Sequence, residues 1–130
     1  SWIIGYSQAS FMDSYCLNLL KGIVRAIDDK KGRNPVVLDV QGISQLTDYF
    51  IFVEGNVGVH VKAIADTIVE ELKKLKVYPL NVEGLSHSDW VVIDYGFIVV
   101  HLFVSSVREQ YCLEELWKDG AIITSDCLAS

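Results

Sequence analysis

Two apolar, β-branched runs on either side of a short turn dominate residues 89–104. The runs span residues 90–93 and 97–104, and Gly96 between them can adopt the positive φ of a tight turn. This pattern predicts a β-hairpin. Alternate residues of a strand point to opposite faces of the sheet, and in the second run both sets are apolar. We therefore expect this strand to be covered on both faces.

Polar and amphipathic residues interrupt the hairpin at its ends and its turn, where they offer binding chemistry that the apolar middle lacks. They are Trp90, Asp94, Tyr95 and His101. Trp90 follows a polar loop and fits two interpretations, core packing or an interface anchor, because tryptophan is over-represented among binding hot spots. We expect Trp90, Tyr95 and Phe97 to form one aromatic edge.

The composition limits the number of domains and the class of partner. A chain of 130 residues, 51% of them hydrophobic, fits one domain with a single core. The formal net charge of -6 argues against a protein that tracks nucleic-acid phosphates, since such binding uses clustered Lys and Arg. A basic partner is favoured instead.

Cysteine spacing and hydropathy indicate the compartment. The 3 cysteines are widely spaced and include no C-x-x-C pair, which favours neither a disulfide framework nor a zinc site. No apolar run approaches the ~20 residues that span a bilayer. We expect a soluble intracellular protein, with residues 1–12 an extension or cloning remnant, 13–120 the domain and 121–130 a fraying tail.

Periodicity and turn residues predict the order helix, two strands, helix, three strands, helix. The predicted elements are a helix from Asp13 or Ser14 to Gly32, strands 36–40 and 49–53, a helix 61–76, strands 79–82, 90–93 and 97–104, and a helical tail from Ser105 or Ser106. This order predicts a single α/β domain with a mixed five-stranded sheet flanked by helices. The second strand, wholly apolar, is expected to be central.

Apolar stripes mark the faces that the two main helices are expected to bury. The stripes are Leu17, Leu20, Val24 and Ile27 in the first helix, and Val61, Ile64, Ala65, Ile68, Leu72 and Leu75 in the second. On the exposed face of the second helix, Glu70 and Lys74 are spaced for an i,i+4 ion pair.

No residue spacing requires a metal or acid/base site. Of the 3 histidines, His60 is interpreted as helix-end chemistry and His101 as a partner-facing or hydrogen-bonded strand residue, while His87 lies in a loop. Residues 55–58 follow a predicted strand and open a predicted helix, a geometry that can bind an anion at the helix N-terminus. They lack the lysine and third glycine of a phosphate loop. They predict a tight strand-to-helix connection.

Short motifs along the chain resemble those of a known family, in the same order. The motifs occupy residues 38–40, 47–50, 55–66, 83–84, 89–96, 99–101 and 111–117. Together, from about Asp13 to Lys118, they closely resemble the ribosomal silencing factor family, also called the Iojap family. A match of this many motifs in the same order is specific to the family, although no single motif is.

The resemblance implies a nucleotidyltransferase-like fold without enzymatic activity. It also implies binding to ribosomal protein fourteen of the large ribosomal subunit, on the face that joins the small subunit, so that joining is blocked and translation repressed. The family's contact surface carries over to Trp90, Tyr95 and the neighbouring strand. The expected partner-binding residues are Trp90, Asp94, Tyr95, Gly96, Phe97 and His101.

Two positions depart from the family pattern. Phe97 stands where relatives usually have Asp, and residues 56–59 replace a Thr-Ser-x-Arg run. The rival interpretations are a nucleotidyl-transferring enzyme, whose Gly-Ser loop and Asp-x-Asp pair are missing, and a generic interaction module. We expect no cofactor, metal, membrane or sequence-specific nucleic acid, leave a homodimer open, and favour the bacterial cytoplasm over an organellar matrix.

Overall fold

The protein is described by a computed structural model over residues 3–4, 14–42, 44–110 and 121–122. The elements are β1 (Ile3–Ile4), α1 (Ser14–Asp29), β2 (Arg33–Asp39), β3 (Tyr49–Gly55), α2 (Gly58–Lys74), β4 (Asn81–Glu83), β5 (Trp90–Asp94), β6 (Ile98–Val104), α3 (Ser105–Gln110) and β7 (Ala121–Ile122). The predicted α/β fold is confirmed, with the five predicted strands present as β2 to β6. None of the described helices is both long and apolar enough to cross a bilayer.

The strands form one mixed sheet in the order β1-β2-β3-β6-β5-β4, with β7 also paired to β2. The central pair, β3 and β6, is parallel, with Tyr49 opposite Ile98 and Gly55 opposite Val104. The pairs β2–β3, β5–β6 and β4–β5 are antiparallel. The predicted hairpin is therefore β5–β6, and the predicted central position of the apolar strand β3 is confirmed.

The two shortest strands both pair with β2. β1 runs parallel to it, with Ile3 opposite Val36, and β7 runs antiparallel, with Ile122 opposite Leu38. They fall in the segments expected to be an extension and a tail, so the described parts of both segments are paired with the sheet. The other residues of these segments, and the predicted helical face of residues 111–117, lie outside the described residues.

Helices α1 and α2 pack together against one face of the sheet, which we call the helix side. Five of the six α2 stripe residues are buried as predicted, but Leu75 is 47% exposed because it is the C-cap, beyond the last helical turn. In α1, Leu20 and Ile27 are buried as predicted, whereas Leu17 and Val24 are only partly buried. The buried face of α1 is wider than a single stripe because it also includes Cys16, Leu19, Ile23 and Ala26.

The ion pair on α2 differs from the expectation by one position. Lys74 Nζ lies 3.0 Å from Glu71 Oε1, an i,i+3 pair, rather than pairing with Glu70. Because the Lys74 side chain is 70% exposed, the pair adds little to stability.

Helix α2 begins without a side-chain cap. Its N-cap residue is Val57, whose φ of -144° and ψ of 170° are those of a capping residue but whose side chain makes no capping hydrogen bond. Val57 is also 61% exposed, so replacing it removes little packing. We therefore expect Val57→Ser, which adds an acceptor for a first-turn N–H group, to raise the free energy of unfolding by about 1 kcal/mol. Urea unfolding measures this, with Val57→Ala as the control; equal midpoints for the two variants would contradict the expectation.

Candidate partner-binding face

The sheet face opposite the helix side carries a cluster of ring side chains that we call the aromatic face. It consists of Phe50 and Phe52 from β3, Trp90 from β5, and His101 and Phe103 from β6. Phe52 and Phe103 are fully buried, whereas the other three are partly exposed. The cluster therefore has a buried base and an accessible rim.

A tight loop places Trp90 at the start of β5. Gly84 has a φ of 90°, and a Cβ atom there would lie 2.0 Å from the Trp90 carbonyl oxygen, so this approach requires glycine. The buried Ser88 closes the loop: its N–H donates to the Gly84 carbonyl at 2.8 Å and its hydroxyl to the Leu85 carbonyl at 2.9 Å. The polar loop thus fixes the backbone from which the indole projects.

His101 lies at the centre of the aromatic face. Its ring stacks on Phe52 with centroids 5.3 Å apart and an interplanar angle of 16°, and the Phe50 centroid lies at 5.8 Å. Trp90 Nε1–H donates to His101 Nδ1 at 3.1 Å. Burial lowers the pKa of His101 to about 4, so the imidazole is neutral at pH 7. The structure thus places His101 as a hydrogen-bonded strand residue, one of the two roles expected from the sequence.

The lowered pKa of His101 predicts that acid destabilises the fold. The pKa of histidine in an unfolded chain is about 6.5, against about 4 in the folded protein, so between these values the unfolded state binds more protons. The free energy of unfolding should fall by roughly 3 kcal/mol as pH drops through this window, and its full value should return above about pH 6.5. Urea titrations at pH 7 and pH 4.5 test this. His101→Phe should lose less stability than the wild type, and equal losses would refute the assignment.

Asp94 and Gly96 shape the turn of the hairpin. Asp94 Oδ1 accepts a hydrogen bond from the Gly96 N–H at 2.7 Å, and the Tyr95 N–H donates to the Ile98 carbonyl at 2.8 Å. Gly96 has a φ of 90° at the first central position, which is typical of a type II′ turn. The predicted role of Gly96 in the turn is confirmed, and one oxygen of the Asp94 carboxylate is used within it.

Tyr95 and Phe97 do not join Trp90 in one aromatic edge, so that expectation is wrong. Tyr95 is 6% exposed within the helix-side core, and burial raises the pKa of its hydroxyl to about 12. Phe97 packs against the same core, and its ring centroid lies 6.3 Å from that of Tyr15 in α1. Tyr95 lies on the helix side because it is an odd number of residues from Trp90, and side chains alternate between the two faces along a strand. Phe97 lies in the turn before β6, outside the strand, where this alternation does not apply.

Phe50 and Phe52 are the part of the site that sequence reasoning missed. Both belong to a strand whose apolar composition predicted burial, yet Phe50 is partly exposed beside His101. They enter the site because β3 runs parallel to β6 with Phe52 directly opposite His101. No local signal in the sequence carries this long-range register.

The loop between β3 and α2 is a packed connection, as predicted. A Cβ atom on Gly55 would lie 2.7 Å from Val61 Cγ2, so glycine is required by packing. The Asn56 N–H donates to His60 Nδ1 at 2.8 Å, and His60 Nε2 therefore donates to the Lys30 carbonyl at 2.6 Å. His60 thus joins the start of α2 to the end of α1, which confirms its helix-end role.

The other titratable groups are scattered over the described part of the chain. Within residues 14–42 and 44–107, no group of three or more His, Cys, Asp or Glu side chains is placed to hold a metal ion. His87 is exposed in the loop before β5. The aromatic face is therefore the place where the predicted binding residues Trp90 and His101 meet.

Comparison with known proteins finds relatives over most of the chain. The sequence profile of a family described as ribosomal silencing factor during starvation matches residues 14–129. Ribosomal silencing factor RsfS of Bacillus subtilis is 36% identical over 109 residues, covering 84% of this chain and 92% of the relative. A Mus musculus protein named mitochondrial assembly of ribosomal large subunit protein 1 is 32% identical over 98 residues, covering 73% of this chain and 43% of that protein.

A crystal structure of a Chromobacterium violaceum protein has the same fold. It superposes with a TM-score of 0.75 at 31% sequence identity, covering 82% of this chain and 87% of that protein. Sequence and structure therefore point to the same group of proteins.

Proposed function

Because the chain belongs to the ribosomal silencing factor family, we propose that it binds the large ribosomal subunit and blocks joining of the small subunit. The proposed contact is ribosomal protein fourteen, on the joining face, and the consequence is repression of translation. The names of the relatives support this class of partner: one is a ribosomal silencing factor, and another is named for assembly of the ribosomal large subunit. We propose the bacterial cytoplasm as the site of action.

The observation that carries the proposal is the accessible rim of the aromatic face. Phe50, Trp90 and His101 are partly exposed above a buried base of Phe52 and Phe103. Single exposed apolar residues are ordinary, but clustered aromatic side chains around a tryptophan are typical of the core of a protein interface. The net charge of -6 suits a basic ribosomal partner, because opposite charges steer association.

We propose that the protein acts by binding, without catalysis. The loop between β3 and α2 stands at a helix N-terminus, a position that suits an anion, but its Asn56 N–H group donates to His60 Nδ1 instead. A nucleotide-binding and turnover assay with magnesium tests this directly. Robust turnover that tracks the purified protein would overturn the proposal in favour of a nucleotidyltransferase-like enzyme.

The proposed function predicts a selective effect on subunit joining. The protein should sediment with isolated large subunits and not with small subunits, and it should reduce the yield of whole ribosomes from a mixture of both. The physical reason is steric, since one surface of the large subunit cannot hold the factor and the small subunit together. Sucrose-gradient sedimentation measures both effects. Equal binding to the two subunits, or unchanged joining at saturation, would contradict the proposal.

A further inference from the structure

Trp90 and His101 occupy diagonal positions on adjacent strands. In the β5–β6 register, Trp90 lies opposite Phe103 and His101 lies opposite Val92. Diagonal neighbours on one face are within reach of large side chains. The indole N–H of Trp90 uses this reach to donate to His101 Nδ1 at 3.1 Å. The accessible tryptophan is thus tethered to a second rim residue.

The imidazole that accepts this bond is itself held in place. Phe52, its direct cross-strand neighbour on β3, stacks on it at 5.3 Å, and the Phe50 ring packs at 5.8 Å. Because Phe52 is fully buried, the ring under His101 is fixed by the sheet. The acceptor atom for the indole is therefore preorganised before any partner arrives.

The second ring nitrogen of His101 is the only polar atom of that side chain that remains available. Since Nδ1 accepts, the neutral ring carries its hydrogen on Nε2. Across the described residues, Nε2 makes no hydrogen bond and is not among the buried atoms without a partner, which are Asp39 Oδ2 and Tyr95 Oη. Nε2–H is thus an accessible donor beside the indole.

We propose that His101 has two roles at the ribosome contact: Nδ1 fixes the orientation of Trp90, and Nε2–H donates a hydrogen bond to an acceptor oxygen of the partner. The second role rests on the proposed function, because it requires the aromatic face to be the contact. Burying an N–H donor in an interface without an acceptor costs free energy. Nε2–H therefore favours partners that present an oxygen at this point. His101 is therefore a positioning and specificity-determining residue.

The positioning role is tested on the free protein. His101→Asn keeps a side-chain oxygen near the position of Nδ1, whereas His101→Phe keeps the ring packing and removes both nitrogens. Hydrogen exchange of the Trp90 indole N–H, assigned by its loss in Trp90→Phe, should be as slow in His101→Asn as in the wild type. It should be about tenfold faster in His101→Phe. Exchange as slow in His101→Phe as in the wild type would overturn the positioning role.

The donor role is tested by affinity for isolated large subunits, with a thermal melt of each variant to confirm folding. His101→Asn lacks the outward N–H and should bind about three- to tenfold more weakly than the wild type, despite its protected indole. Wild-type affinity in both His101→Asn and His101→Phe would overturn the donor role. Failure of the wild-type protein to bind large subunits would refute the proposed function and the donor role with it, while the exchange measurement still decides the positioning role.

Discussion

Ile68→Asp is expected to prevent the domain from folding. Ile68 is fully buried in the middle of α2, where the helix packs on the sheet and on α1. Aspartate would remove the core contacts, at a cost of roughly 2 to 5 kcal/mol, and would bury a carboxylate without a partner at a further cost of several kcal/mol. The sum is comparable with the whole stability of a domain of this size, roughly 5 to 15 kcal/mol.

Two control variants distinguish the effect of an introduced aspartate from the effect of changing the buried position. Glu70→Asp introduces the same residue at an exposed site on the same helix and should change the free energy of unfolding by only a few tenths of a kcal/mol. Ile68→Val trims the same buried side chain and should cost roughly 0.5 to 1.5 kcal/mol. Soluble yield, circular dichroism and urea unfolding provide the measurements. A soluble Ile68→Asp variant with a cooperative transition would show that this face of α2 is not core.

The buried face of α2 could be predicted from the sequence because its apolar residues follow one helical stripe and its opposite face is charged. Helix α1 was harder to predict, because its buried face extends to Cys16 and Leu19 beyond the predicted stripe. Strand positions were also predictable, since β-branched runs and turn residues are local signals. Each of these predictions depended only on the sequence pattern within a single element.

The aromatic face could be predicted only in part. Trp90 and His101 were identified from their chemistry, but the pairing of β3 with β6, which brings Phe52 opposite His101, joins segments far apart in the sequence. The face on which Tyr95 lies could have been predicted from strand alternation, because Tyr95 is an odd number of residues from Trp90. Its burial depends on the helices that cover this face. Individual residues of the site could therefore be predicted from the sequence, but the strand register that brings them together could not.

Trp90→Ala is expected to weaken binding to the large subunit by about thirtyfold, or roughly 2 kcal/mol, while the fold persists. The indole is only partly buried, so its removal should cost less stability than the roughly 3 to 5 kcal/mol typical of a fully buried aromatic residue. The larger effect should fall on affinity, because the variant loses the indole from the accessible rim and leaves His101 Nδ1 without its donor.

Thermal melting and affinity for large subunits, measured on the same Trp90→Ala sample, distinguish an anchor from a core residue. Tyr78→Ala is the matched control, since it removes a 59% exposed aromatic side chain from the segment between α2 and β4 and should leave affinity unchanged. An anchor gives a large loss of affinity with a modest loss of stability, because the aromatic face keeps its buried base of Phe52 and Phe103. A large loss of stability with unchanged affinity of the folded fraction would assign Trp90 to the core. The proposed contact would then move to the hairpin turn, where Asp94 and Gly96 lie at the end of β5.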